Sequence, residues 1–260
     1  MNERNFSTLK VEQGTDRTIV TLNRPERRNA IGPAMVNELL YAFEDAFEND
    51  SCRVVVLTGA GKAFCAGGDF AQMAGAADMA LPPKGDYADL LLRMVRAPKP
   101  ILARVNGHAM GGGLGLVAAS TFAVAVDDAM LGTPEVHVGL FPMMIMAVLA
   151  RNVPRRRLLE MMLLGQRIPA SQAREIGILN RVTPASEIDA VVDELCAEVA
   201  SKSPLTIRLG LEGFADQSDL ALEQALPLLR ERLAACLATE DAVEGLTAFM
   251  QKRPPQWKGR

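Results

Sequence analysis

Apolar and polar positions alternate on two different periods along this chain. Short runs rich in valine and isoleucine come first: TIVTLN (18–23), RVVVLTG (53–59), ILARVNG (101–107) and FAVAVDD (122–128). They mostly end at Asn, Asp or Gly, which is the pattern of strands closed by turns. Their spacing is irregular, so a tandem repeat array is not supported. Between the first two runs, PAMVNELLYAFEDAFEND (33–50) places Met35, Leu39, Leu40, Phe43 and Phe47 at helical spacing. With Pro33 in a first turn, that segment predicts an amphipathic helix. Residues 71–90, AQMAGAADMALPPKGDYADL, are rich in Ala, Gly and Pro. They predict a mobile loop or broken helix, with Pro82-Pro83 as a firm break. From Pro154 onward the pattern is almost wholly helical. Strands alternating with helices early, and helices alone late, predict an α/β fold. The expected division is a core over residues 1–200 and a helical C-terminal region over 201–260.

Composition narrows the function classes. The 260 residues suit one large domain, or a core with a small appendage. About half of them, 49%, are apolar, enough for a substantial core. A net charge of -3 argues against a general binder of nucleic acid or membrane surfaces. It leaves room for an anionic ligand held by a local group of arginines. No apolar run reaches bilayer-spanning length, and MNERNFSTLK at the N-terminus has no signal-peptide core. Cys52, Cys65, Cys196 and Cys236 form no C-x-x-C pair, and His108 and His137 are the only histidines. Neither a metal site nor a disulfide framework is expected, and a reducing cytoplasm fits.

The sequence HAMGGGLGLVAAS (108–120) carries the first chemical signal. Gly111, Gly112 and Gly113 stand in a row, Gly115 follows, and an apolar helix pattern begins at once. Each glycine costs backbone entropy, so the cluster needs a reason. No Gly-Lys-Ser/Thr follows, which excludes a phosphate loop, and G-x-G-x-x-G cannot be placed there. The first amides of a helix lack internal partners and carry the positive end of its dipole. Such an amide can hold a developing negative charge. A second candidate donor lies in KAFCAGGDF (62–70), where another strand runs into Ala66, Gly67 and Gly68. On pattern alone two readings stay open: paired tight turns, or paired amide donors.

Together VVVLTGAGKAFCAGGDF, PILARVNGHAMGGGLGLVAA and LGTPEVHVGLFP resemble the signature blocks of the crotonase superfamily, the enoyl-CoA hydratase/isomerase family. LLGQRIPASQAREIGILNRV and FMQKRPPQWKG resemble its later blocks, in the same order. The resemblance covers nearly the whole chain. It implies a spiral of β-β-α units followed by helices that drive trimerisation, with trimers often pairing into hexamers. It implies an acyl-CoA substrate, with coenzyme A entering as part of that substrate and no prosthetic group. By the same resemblance Gly68 and Gly112 donate the amides that hold the thioester oxygen. Asp69 matches the family's aspartate, more plainly read as a carboxylate bracing the loop. The CoA would meet RPERRNA (24–30), with Arg28 foremost and Arg24 and Lys62 behind it. Ala66 matches the position whose backbone faces the adenine. Phe249 and Lys252 match a C-terminal pair that meets the adenine and 3'-phosphate, in some members from a neighbouring subunit.

The carboxylates separate the reactions open to such a site. Hydratases resembling this chain use two glutamates, one three residues after the middle glycine and one in the TPEVHVG block. The first position here is Gly115, and the second is Glu135. One glutamate can take a proton from the carbon next to the thioester and return it two carbons away, isomerising a 3-enoyl to a 2-enoyl thioester. That is the expected reaction. Hydration with Glu135 alone, decarboxylation or hydrolysis of another acyl-CoA, and mere acyl-CoA binding are the alternatives. Val136, Val138, Leu140, Phe141, Met143 and Met144 are expected to form an apolar shell that raises the Glu135 pKa. His137 is read either as an auxiliary base or as a structural histidine. Met143, Met144, Met146, Met161 and Met162 read as core packing or an adaptable acyl pocket.

Overall fold

The computed structural model of the chain describes residues 4–69, 72 and 79–260. Four of its strands are the valine-rich runs: β2 (Arg17–Leu22), β3 (Val54–Gly59), β5 (Ile101–Val105) and β7 (Phe122–Val126). They lie side by side in a six-stranded sheet, flanked by β1 (Leu9–Gln13) and β10 (Arg181–Thr183) in the order β1-β2-β3-β5-β7-β10. Only β1 is antiparallel to its neighbour; the rest are parallel. Every residue of β3 is buried, as expected of a parallel strand covered on both faces.

A second sheet, β4-β6-β8-β9, is built from strands of three residues: β4 (Ala63–Cys65), β6 (His108–Met110), β8 (Met130–Gly132) and β9 (Arg167–Pro169). Each long strand hands the chain to a short one: β3 to β4, β5 to β6, β7 to β8. Since β3, β5 and β7 adjoin in one sheet and β4, β6 and β8 in the other, the chain advances as a spiral. Helices close its turns: α1 (Pro33–Glu48), α2 (Tyr87–Val95), α3 (Gly112–Ala119) and α4 (Met143–Asn152). After α5 (Arg155–Leu163), β9, α6 (Ala170–Glu175), β10 and α7 (Ile188–Ala200), three helices finish the chain: α8 (Pro204–Gln217), α9 (Leu222–Leu237) and α10 (Glu240–Gln251). No helix among the described residues is long and apolar enough to cross a membrane.

Two expectations change here. The stretch after Pro154 is not wholly helical, because β9 and β10 take places at sheet edges. The expected loop over 71–90 falls partly on residues 71 and 73–78, which lie outside the described residues. Its last four positions start α2 instead. Asp86 accepts hydrogen bonds from the Ala88 and Asp89 amides, and the Asp89 carboxylate accepts from the Asp86 amide at 2.9 Å. That reciprocal cap supplies partners for amides the first turn would otherwise leave open. Tyr87 is the first residue of the helix it starts.

Candidate active site

The two glycine segments meet backbone to backbone. β4 pairs with β6 in parallel, so the chain leaves both strands in the same direction. Gly111 then turns with φ 49° and ψ -122°, a conformation open to glycine because it has no Cβ. A Cβ on Gly111 would lie 3.7 Å from the Gly67 Cα and 2.8 Å from Oε1 of Glu135. A Cβ on Gly113 would lie 2.6 Å from the Cys65 carbonyl oxygen. The triplet is therefore what lets α3 start against the end of β4, with a carboxylate beside its first turn.

Two amides remain open at this junction. Ile31 donates its amide to Gly67 O, and Asp69 donates its amide to Ile31 O, both at 2.8 Å. Flanking bonds of this parallel bridge face Ile31, so the amide of Gly68 points the other way. Gly112 opens α3, where no preceding turn supplies a carbonyl. Among the described residues, neither the Gly68 nor the Gly112 N–H has a hydrogen-bond partner.

Glu135 sits on a 3-10 turn, Pro134–Val138, that follows β8. Its Oε2 is buried and has no hydrogen-bond partner among the described residues. Burial raises the carboxyl above the ordinary glutamate value. Only part of the expected apolar shell is in place: Val136 and Phe141 are half-buried, and Phe141 packs against the core. Val138, Leu140, Met143 and Met144 are all exposed, at 64%, 48%, 64% and 49%. From across the chain, Oε1 lies against the Gly111 turn. Met161 and Met162 are in the core, and Met146 packs against it. His137 has its Nε2 3.2 Å from the carbonyl oxygen of Gly165, which ties the ring to the turn before β9.

Tyr87 was not singled out by the sequence. Its hydroxyl donates a hydrogen bond to the carbonyl of Gly112. Burial, then the nearby Cys65 and Glu135, pushes the phenol well above its ordinary pKa. The available signal was the Asp86/Asp89 cap, which starts α2 at Tyr87.

The basic residues divide. Arg24 donates to Asp69 Oδ2 at 2.8 Å and to the Ala30 carbonyl at 3.3 Å, with its side chain only 14% exposed. It braces the loop rather than facing solvent. Burial alone would raise the Asp69 carboxyl; Arg24 and the Gln72 amide overcome that and hold it below the ordinary aspartate value. Arg28 is exposed, and its carbonyl accepts from the Ala66 amide at 2.9 Å, so these two expected ligand contacts adjoin. Lys62 is exposed beside the same loop. Phe249, 83% exposed, and Lys252 lie at the end of α10.

The Asp69 brace gives a stability prediction. Asp69→Asn leaves the Arg24 guanidinium without its counter-charge in a largely buried place. Breaking such a pair costs about 3 kcal/mol, the low end for buried partners because Arg24 keeps some solvent contact. Denaturant melts of the variant and the parent at neutral pH measure it. The native ion pair itself is present above the unfolded aspartate pKa and is lost as pH falls through the depressed folded value. The difference between the two proteins should therefore shrink in acid.

The sequence family described as enoyl-CoA hydratase/isomerase matches residues 16–260. The chain is 34% identical to the 2,3-dehydroadipyl-CoA hydratase of Escherichia coli, over 98% of this chain and all of that one. It is 34% identical to the carnitinyl-CoA dehydratase of Proteus mirabilis, over 93% of this chain and 94% of that one. The solved enoyl-CoA hydratase of Mycobacterium smegmatis superposes with a TM-score of 0.88 at 32% identity, covering 96% of this chain and 98% of that one.

Proposed function

The chain belongs to the enoyl-CoA hydratase/isomerase family, and we propose that it isomerises 3-enoyl-CoA to 2-enoyl-CoA through an enolate held by Gly68 and Gly112. The observation that carries this reading is Glu135. It is desolvated, its Oε2 is unpartnered, and position 115 bears no side chain that could act as a second carboxylate.

The ionised Glu135 removes a proton from Cα of the 3-enoyl thioester. The electron pair moves into the conjugated system, and negative charge develops on the thioester oxygen. Two amides aimed at that oxygen stabilise the charge without having to reorganise. The protonated Glu135 then returns its proton to Cγ, the carbonyl re-forms, and the double bond lies between Cα and Cβ. A carboxyl with a raised pKa suits both halves, since it must take and return the same proton. Hydration by Glu135 alone is the second reading, favoured by the hydratase and dehydratase names of the relatives.

Arg28, Lys62 and the Ala66 backbone are the CoA contacts this reading uses, with Arg24 spent on Asp69. Phe249 and Lys252 would serve from a neighbouring subunit. Phe214, Leu222, Leu233, Leu246, Phe249 and Met250 expose apolar side chains on α8, α9 and α10. Such a patch supports assembly of the chain, as a trimer or a pair of trimers.

Incubation with 2-enoyl-CoA and 3-enoyl-CoA in deuterated water tests the reaction. Interconversion of the two is the expected result, with deuterium entering at Cα and Cγ only as far as the protonated Glu135 exchanges with solvent before it returns its proton. Mass gain of one water, with no interconversion, would replace isomerisation by hydration.

A further inference from the structure

Tyr87, from α2, reaches both Gly112 and Gly115 on one face of α3, with Ile31 and Ile145 beside it. A Cβ on Gly115 would stand 2.3 Å from the Tyr87 hydroxyl oxygen and 2.4 Å from Ile145 Cγ2. A Cβ on Gly112 would stand 3.6 Å from the same hydroxyl. Positions i and i+3 share a helix face, so the phenol tip lies along both. Glu135 Oε1 reaches the preceding residue, Gly111, from its own turn. Tyr87 and Glu135 thus converge on the first turn of α3, the one a neutral hydroxyl and the other a carboxylate. The Tyr87 hydroxyl spends its proton on the Gly112 carbonyl.

We infer that Tyr87 is a specificity-determining residue: its phenol fills the space beside Glu135 that a hydrating water would need, and so directs the site to proton transfer. This rests on the isomerase reading and extends it. Hydration adds the hydroxyl of water to Cβ and a proton to Cα. Glu135 could carry that proton, but only if a water stands between it and Cβ. Gly115 is buried, and the Tyr87 tip and Ile145 occupy the space against it. A phenol there is a poor base, because burial holds it protonated. It closes the space without offering a second proton acceptor.

Three full-length proteins test this: wild type, Tyr87→Phe and Tyr87→Leu. Each is given 2-enoyl-CoA in ¹⁸O-water, and ¹⁸O-labelled 3-hydroxyacyl-CoA is followed by mass. Tyr87→Leu keeps an apolar contact with the core and withdraws the tip, so it is the variant to prefer over alanine; thermal melts confirm that it is folded. Labelled product should rise about tenfold or more in Tyr87→Leu, the scale by which small changes of pocket shape alter discrimination. Tyr87→Phe removes the hydroxyl but keeps the ring in place, so its labelled product should lie between those of wild type and Tyr87→Leu. A folded Tyr87→Leu protein that hydrates no faster than wild type overturns the inference. So does a wild type whose hydration falls in either variant, since Tyr87 would then assist water instead of excluding it. The isomerase reading is scored separately, by wild-type conversion of 3-enoyl-CoA. Its failure leaves the variant-to-wild-type hydration ratio readable.

Discussion

Glu135→Gln should turn over 3-enoyl-CoA about 10²–10⁴ times more slowly than wild type, the usual contribution of a positioned acid–base group. Glutamine keeps the shape of the side chain and its place against Gly111, but it cannot accept the Cα proton. CoA-thioester affinity should be almost unchanged, because the open amides of Gly68 and Gly112 and the exposed Arg28 are untouched. The loss should therefore fall on kcat and not on KM. The pH profile makes the assignment specific. Glu135 must be ionised to act as base, so kcat/KM should fall as pH drops through its pKa, which burial sets above the ordinary glutamate value. Residual activity of the variant should lack that limb. A variant that retains near wild-type turnover would remove Glu135 from the mechanism.

The same substitution should not destabilise the protein. A carboxyl whose folded pKa is raised costs stability in its charged form above that pKa, and the cost vanishes as pH falls through it. Glutamine carries no charge there, so this cost is absent at every pH. At neutral pH the variant should melt at or above the wild-type temperature. A gain in stability with a loss of activity is the pattern of a site residue kept for chemistry.

Much of this arrangement was written in local sequence, and the rest depended on distant contacts. β2, β3, β5 and β7 are runs of five or six residues, long enough for valine-rich composition to register. β4, β6, β8 and β9 have three residues each, too few for any period. They are strands because the spiral stacks them, so tertiary pairing decides their state. The Pro82-Pro83 break masked the start of α2, although Asp86 and Asp89 mark a cap three residues apart. Gly68, Gly112 and Glu135 were legible as family positions, and the fold adds why they adjoin: parallel β4 and β6 lead into Gly67 and Gly111, which lie against each other. The desolvation of Glu135 was expected from its chain neighbours, of which only Val136 and Phe141 are half-buried. Val138, Leu140, Met143 and Met144 follow it in the chain but are exposed, while the Gly111 turn, far back in sequence, lies against its Oε1. Tyr87 was illegible for the same reason. Nothing near it in the chain tells that its hydroxyl will meet Gly112 and Gly115.

The second large effect should come from Gly112→Pro. Proline removes the amide hydrogen and adds no charge, so it deletes one of the two donors proposed for the enolate oxygen. Loss of a single such donor costs about 10²–10³ in turnover. The position favours a clean test. Gly112 is the first residue of α3, where proline fits because that amide has no intrahelical partner. Gly111 before it is already extended in its mirror-image sense, with ψ -122°, and glycine accepts proline's demand on its predecessor more easily than other residues do. The tightest new contact at the Cβ would be Ile31 Cγ2 at 3.1 Å, a methyl that can move by a few tenths of an ångström. The helix should therefore form, and a thermal melt checks it. Turnover of 3-enoyl-CoA should then fall while the acid limb set by Glu135 stays where it was, since the base is unaltered. That pairing separates the two parts of the site: Glu135→Gln abolishes the limb, and Gly112→Pro lowers the rate at every pH. A folded Gly112→Pro protein with full activity would show that the enolate oxygen is held elsewhere.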